Sequence, residues 1–184
     1  MPQQGSVGRR LEAAFEAFRR NDYETTLIHL FPALDKTAKS RRPKAGVGAR
    51  IRSYLEDDED LISYIATGNV LRNIYVGGKS IPAAIYEFGR CPIAHEGELD
   101  PRLKITEDTV LSIGNEWILP VSYIFAMLIS LIVAEENSNE FFITDIALTI
   151  RGKKYSLNNL WGKERLLREE TGLNSLLARS RSTR

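Results

Sequence analysis

The residues best suited to chemistry lie close together in one short segment, Arg90-Cys91-Pro92-Ile93-Ala94-His95-Glu96-Gly97. An imidazole titrates near neutrality, so a histidine serves as general base or general acid. A guanidinium stays charged and presents a planar fork of donors to phosphate oxygens, which suits it to stabilising a developing oxyanion. Arg90 and His95 have four residues between them. On an undistorted helix such a pair is separated by about 140° round the axis and about 7.5 Å along it, so the two would not share a face. Pro92 disfavours helical geometry at Cys91 and removes a backbone donor, and a break there is expected to swing both side chains toward one cleft. The structural alternative is that Arg90 pairs with Glu87 or Glu96 and that His95 bonds a helix end. The other histidine, His29, lies one residue from the apolar stripe of a helix and reads as a packed or half-exposed helix residue.

A second feature is a basic connector in which Lys36, Lys39, Arg41, Arg42, Lys44, Arg50 and Arg52 crowd two helical turns and a loop containing Pro43, Gly46 and Gly48. Clustered cations of this kind supply sequence-independent affinity for nucleic acid, and Arg41 and Arg42 are the candidate phosphate contacts. The alternative is a solvated linker whose field is partly cancelled by the acidic run from Glu56 to Asp60.

Bulk composition limits the rest. The chain has 184 residues, 43% of them hydrophobic and 27% charged, with a net charge of +1. That composition is globular, and no whole-molecule field singles out a nucleic acid or a membrane. The single cysteine, Cys91, leaves no internal disulfide framework and no multi-cysteine zinc site, which fits a reducing compartment. Residues 1–6 lack the apolar segment of a signal peptide, so a cytoplasmic location is expected. Residues 117–134 carry no charge over 18 positions. Glu116, Glu135 and Glu136 flank them without any Lys or Arg cluster, and Pro120 interrupts them. A buried central helix is therefore expected rather than a membrane span.

The elements that must position the Arg90 segment are mostly helical. Val7, Leu11, Ala14, Phe15 and Phe18 form one stripe of a first helix capped by Ser6. Asn21-Asp22 restarts the chain into a second helix with Leu27, Leu30, Phe31, Leu34 and Ala38 on one face, kinked or split by Pro32. A third helix is expected over 47–66, and a turn at Gly77-Gly78. A short helix then runs from Ser80-Pro82 to Gly89. Further expectations are a hairpin over 103–113, a long apolar helix to Glu136, a strand over 141–150 turning at Arg151-Gly152-Lys153, a polar helix over 159–170, and a frayed tail with Arg179, Arg181 and Arg184. The fold class is mainly α, a bundle of four to five helices with a small β-hairpin appendage, divided into 1–136 and 137–184.

The Arg-x4-His spacing, the Glu96-Gly97 continuation and the position of the motif before the apolar helix resemble the HEPN family of small helical bundles, more loosely across the first 136 residues. Active members usually carry Asn or Asp directly after the arginine, where this chain has Cys91. The resemblance implies a metal-independent endoribonuclease in which a ribose 2′-hydroxyl attacks the neighbouring phosphate to give a 2′,3′-cyclic phosphate. Arg90 and His95 would be catalytic, with Glu96 beside them in substrate binding. It implies no cofactor or metal, RNA or nucleotide as ligand, a homodimer joining two motifs, and an antitoxin or regulatory protein as a further partner in a defence setting. The alternative is a non-catalytic module of the same fold that binds nucleotide, RNA or protein.

Overall fold

The computed structural model describes residues 3–182, with side chains to residue 178. Helices α1 (Ser6–Arg19) and α2 (Tyr23–Arg41) pack side by side. Asn21 turns the chain in a left-handed conformation, and the Asp22 carboxylate caps α2 by accepting from the Thr25 amide. α2 runs unbroken through Pro32, against the expected kink. Pro32 is on the exposed face, where water can serve the carbonyl that the ring cannot.

Ser6 does not cap α1. Its first amides donate instead to the carboxylate of Glu140, at 3.3 Å from Val7 and 2.8 Å from Gly8. Ser6 accepts from Lys36.

The helix expected over 47–66 is two, α3 (Val47–Asp57) and α4 (Glu59–Thr67), joined at Asp58. Five consecutive acids repel one another inside one helix, and starting a new helix at Glu59 places Glu59 and Asp60 at a favourable N-terminus. A small hairpin follows, β1 (Tyr75–Val76) and β2 (Lys79–Ser80), turning at Gly77-Gly78. Ser80 caps α5 (Ile81–Ala84) by accepting from the Ala83 amide. A π-helical turn over Ile85–Arg90 then leads into α6 (Cys91–Glu96).

Residues 103–113 are not a hairpin. β3 (Leu103–Thr106) and β4 (Ser112–Ile113) both pair with β5 (Trp117–Pro120), β3 in parallel and β4 antiparallel. The start of the uncharged stretch is therefore the central strand of a sheet, and Pro120 begins the buried helix α7 (Val121–Val133). Among the described residues no helix is long and apolar enough to cross a membrane.

The last region packs on the same core. Buried Asn137 donates to the Leu131 carbonyl (2.7 Å) and to Thr37 (2.9 Å), tying the end of α7 to α2. The strand expected from residue 141 begins only at β6 (Ala147–Ile150), which pairs with β7 (Lys153–Ser156) across the Arg151-Gly152 turn. Phe142 instead inserts between Phe15 and Trp161, with ring centroids at 5.9 and 5.0 Å. Its backbone amide and carbonyl both bond the Asn158 side chain, which takes them out of any ladder. The helix expected from residue 159 starts later, as α8 (Glu164–Glu170), and α9 (Leu173–Ser182) follows. The side chains of Arg179 and Arg181, and all of Arg184, lie outside the described residues. The fold is mainly helical, with three small sheets among the described residues.

The Glu140 cap can be separated from the expected Ser6 cap by thermal or urea unfolding. Glu140→Ala should destabilise the chain by about 1 kcal/mol or more, and Ser6→Ala by less than about 0.5 kcal/mol. The reverse order would return the cap to Ser6.

Candidate functional site

The π turn decides where the Arg90 segment points. In an α-helix the Phe88 carbonyl would accept from residue 92, which is a proline and has no N–H. Here the Cys91 amide reaches back five residues to the Tyr86 carbonyl, and the Phe88 carbonyl accepts from Asp100 at 3.0 Å. With that vacancy filled, the helix passes Pro92 without a break; Arg90 and Cys91 both keep right-handed helical angles. The expected break is absent, and its physical reason is this extra-residue turn. Gly89 permits the close packing of the turn, since a Cβ there would sit 3.0 Å from the Phe31 ring and 3.2 Å from Leu103.

Arg90 and His95 consequently leave a continuous helix on different sides, and within one chain the structure does not aim them into one cleft. His95 and Glu96 are exposed on the last turn of α6, which ends at left-handed Gly97. Arg90 is half-buried and lines a groove that His95 does not. Arg90 makes no ion pair or side-chain hydrogen bond with a described residue; Glu87, one of its expected partners, pairs with Lys79. His29 is half-buried on α2.

The π turn also sets Tyr86 and Cys91, five residues apart, close enough to influence each other electrostatically. Burial pushes the Tyr86 phenol above its usual range and the Cys91 contact adds to this, while Arg90 and Arg52 pull the other way. The Arg52 guanidinium lies 5.1 Å from the centre of the Tyr86 ring. Gly48 of α3 leaves room for the phenol, because a Cβ there would stand 2.9 Å from its oxygen.

The groove has a volume of about 380 Å³. Arg10 of α1 and Arg90 are its two cations, Ile28, Phe31 and Pro32 of α2 and Ile93 of α6 make it largely apolar, and Asp35 supplies one carboxylate. Arg10 and Asp35 were not legible as site residues; the one local signal was a proline inside an amphipathic helix.

Arg41 and Arg42, expected to face phosphates, spend their charge inside the molecule. Arg41 donates to Glu136 (2.7 Å) and Asp58 (3.1 Å), with its guanidinium 4.3 Å from the centre of the Tyr54 ring. Arg42 pairs with Asp57 at 2.7 Å, and Arg50 with Asp35 at 2.7 Å. Arg41 and Arg42 thus pair with Asp57 and Asp58 of the acidic run, joining α2 to the junction of α3 and α4. Asp60 continues the network: Arg168 of α8 binds both its oxygens at 3.0 Å and also Glu164 at 2.6 Å. Burial, reinforced by the Glu164 charge, pushes the Asp58 carboxyl up to about 6 despite Arg41. Among the described residues no group of three or more His, Cys, Asp or Glu is placed to hold a metal ion.

A family model named Rv1289 matches residues 6–180. The chain belongs to the Rv1289 family. Its relatives include the "Uncharacterized protein Rv1289" of Mycobacterium tuberculosis and the "Uncharacterized protein Mb1320" of Mycobacterium bovis, each 26% identical over 182 residues, covering 89% of this chain and 87% of the relative. No solved structure matches. The family match takes in the groove, the Arg90 segment and the C-terminal region through α8, so all of these lie within one family unit.

Asp58 gives the network a pH signature. Its folded value of about 6 exceeds the usual 3.8, so between the two the folded chain holds more protons than the unfolded one. Its contribution therefore falls as pH rises through that window, by up to about 3 kcal/mol. Asp58→Asn keeps an acceptor for Arg41 and removes the titration. The variant should gain stability relative to wild type as pH rises from 4 to 6.5; a stability difference independent of pH would contradict the assignment.

Proposed function

We propose that the chain is a metal-independent endoribonuclease of HEPN type, acting on RNA in the cytoplasm as a homodimer. The observation that carries this reading is Arg90, a guanidinium with no carboxylate partner among the described residues, held on the helix that also exposes His95. Where its neighbours Arg41, Arg42 and Arg50 are all paired internally, Arg90 keeps its forked donors for a ligand.

In the reaction, His95 takes the proton of a ribose 2′-hydroxyl as that oxygen bonds to the adjacent phosphorus. Arg90 stabilises the charge gathering on the non-bridging oxygens. The bond to the 5′-oxygen breaks, that oxygen takes up a proton, and the products are a 2′,3′-cyclic phosphate and a 5′-hydroxyl. Because the two side chains diverge within one chain, the centre is assembled across a two-fold interface, the arginine of one copy meeting the histidine of the other. Glu96, next to His95, accepts a hydrogen bond from the ribose. Arg41 and Arg42 are left out of this reading because their charges are paired with Asp57, Asp58 and Glu136, and an antitoxin or regulatory protein is a natural partner for the exposed His95 face.

A second reading, a non-catalytic nucleotide- or RNA-binding module of the same bundle, is favoured by Cys91, which stands directly after Arg90 and faces the Tyr86 phenol rather than offering the polar side chain of active members. Incubation of mixed RNA with purified protein in EDTA separates the two. Wild type should leave cyclic-phosphate ends, and Arg90→Ala and His95→Ala should each reduce the rate by about a hundredfold or more. Equal rates in all three would contradict the site, and RNA binding without cleavage would select the second reading.

A further inference from the structure

We infer that the groove between α1, α2 and α6 is a subsite for one ribonucleotide of the substrate, with Arg10 and Arg90 holding its phosphate and the apolar floor receiving its base. The inference rests on the proposed function only through the role of Arg90 as a phosphate ligand.

Charge comes first. Arg10 is exposed and, like Arg90, forms no ion pair with a described residue. The one carboxylate on the groove, Asp35, is already offset by Arg50, whose Nε donates to Oδ1 at 2.7 Å. Two uncompensated guanidiniums therefore face a volume of about 380 Å³, within the size range of small-molecule sites. An anion is the expected occupant.

The remaining lining narrows the kind of anion. Ile28 is 39% exposed beside Phe31 and Ile93, so the floor offers apolar surface that a flat ring can cover. Pro32 has no N–H to donate to the Ile28 carbonyl, which leaves that oxygen able to accept from a base amine. Asp35 Oδ2 makes no hydrogen bond with a described residue, and a carboxylate oxygen is an acceptor for sugar hydroxyls and repels a purely acidic ligand. A phosphate, a donor-bearing sugar and a flat ring occur together in a nucleotide. A simple inorganic anion would leave the floor and both acceptors unused, and a fatty acid would leave both acceptors unmet.

Isothermal titration of the full-length chain with adenosine 5′-monophosphate, adenosine and inorganic phosphate tests this. The monophosphate should bind at least about tenfold more tightly than either fragment, and Arg10→Ala and Arg90→Ala should each weaken it about tenfold. Asp35→Asn should narrow the preference for the ribonucleotide over its 2′-deoxy form. Thermal unfolding of Arg10→Ala should match wild type, since the side chain is exposed. Equal affinity for inorganic phosphate would overturn the base floor, and unchanged affinity in Arg10→Ala would overturn the groove. His95→Ala should keep mononucleotide binding, because His95 does not line the groove. Wild-type protein that binds the monophosphate through Arg10 but cleaves no RNA would support the subsite and refute the ribonuclease. Cleavage with no mononucleotide binding would refute the subsite alone.

Discussion

Pro92 cannot donate a hydrogen bond to the Phe88 carbonyl, and the surroundings of the Arg90 segment follow from how the fold meets that constraint. The π turn over Ile85–Arg90 supplies one extra residue, and the Asp100 amide takes the orphaned carbonyl. The helix can then continue to Gly97 without kinking. Three consequences share this origin: Arg90 turns toward the groove, His95 toward solvent, and Tyr86 and Cys91 come into register with each other. π turns recur at functional sites because they are kept only where their altered side-chain directions serve a purpose.

Around this segment the chain holds itself together with charges that a sequence presents as solvent-facing. Asp58, Glu59 and Asp60 are all buried. Asp58 takes Arg41, Asp60 takes Arg168, and one oxygen of Glu59 accepts from the Asn73 amide. The junction of α3 and α4 is thus tied to α2 on one side and α8 on the other. Glu140 reaches the amides of α1 in the same manner, from beyond α7. The C-terminal region is therefore joined to the helical core through ionic and capping contacts as well as through Phe142 and Trp161.

The parts legible from the sequence were those set by local rules. The apolar stripe of α1, the Asp22 cap, the Gly77-Gly78 turn and the Arg151-Gly152 turn depend on residues within a few positions of one another. Contacts across the chain were not legible. Nothing near Ser6 announces that Glu140 will cap the helix, and nothing in 117–120 announces that β3 will draw those residues into a sheet. Arg41 and Arg42 look like free cations until α3 and α4 fold their acids back against them. At the candidate site, Arg90 and His95 were found by type and spacing. Their relative direction was not, because a proline inside a helix can be met by a break or by a π turn, and the donor that settles the matter, Asp100, lies eight residues beyond Pro92.

The divergence of Arg90 and His95 makes the proposed centre one that only two chains can complete. Subunit complementation reads this directly. Arg90→Ala and His95→Ala proteins, each inactive alone, are unfolded, mixed in equal amounts and refolded together, and RNA cleavage is measured. A centre built from the arginine of one copy and the histidine of the other is intact once in each mixed dimer, so the mixture should recover about a quarter of wild-type activity. A mixture no more active than either variant, formed from demonstrated mixed dimers, would contradict the shared centre.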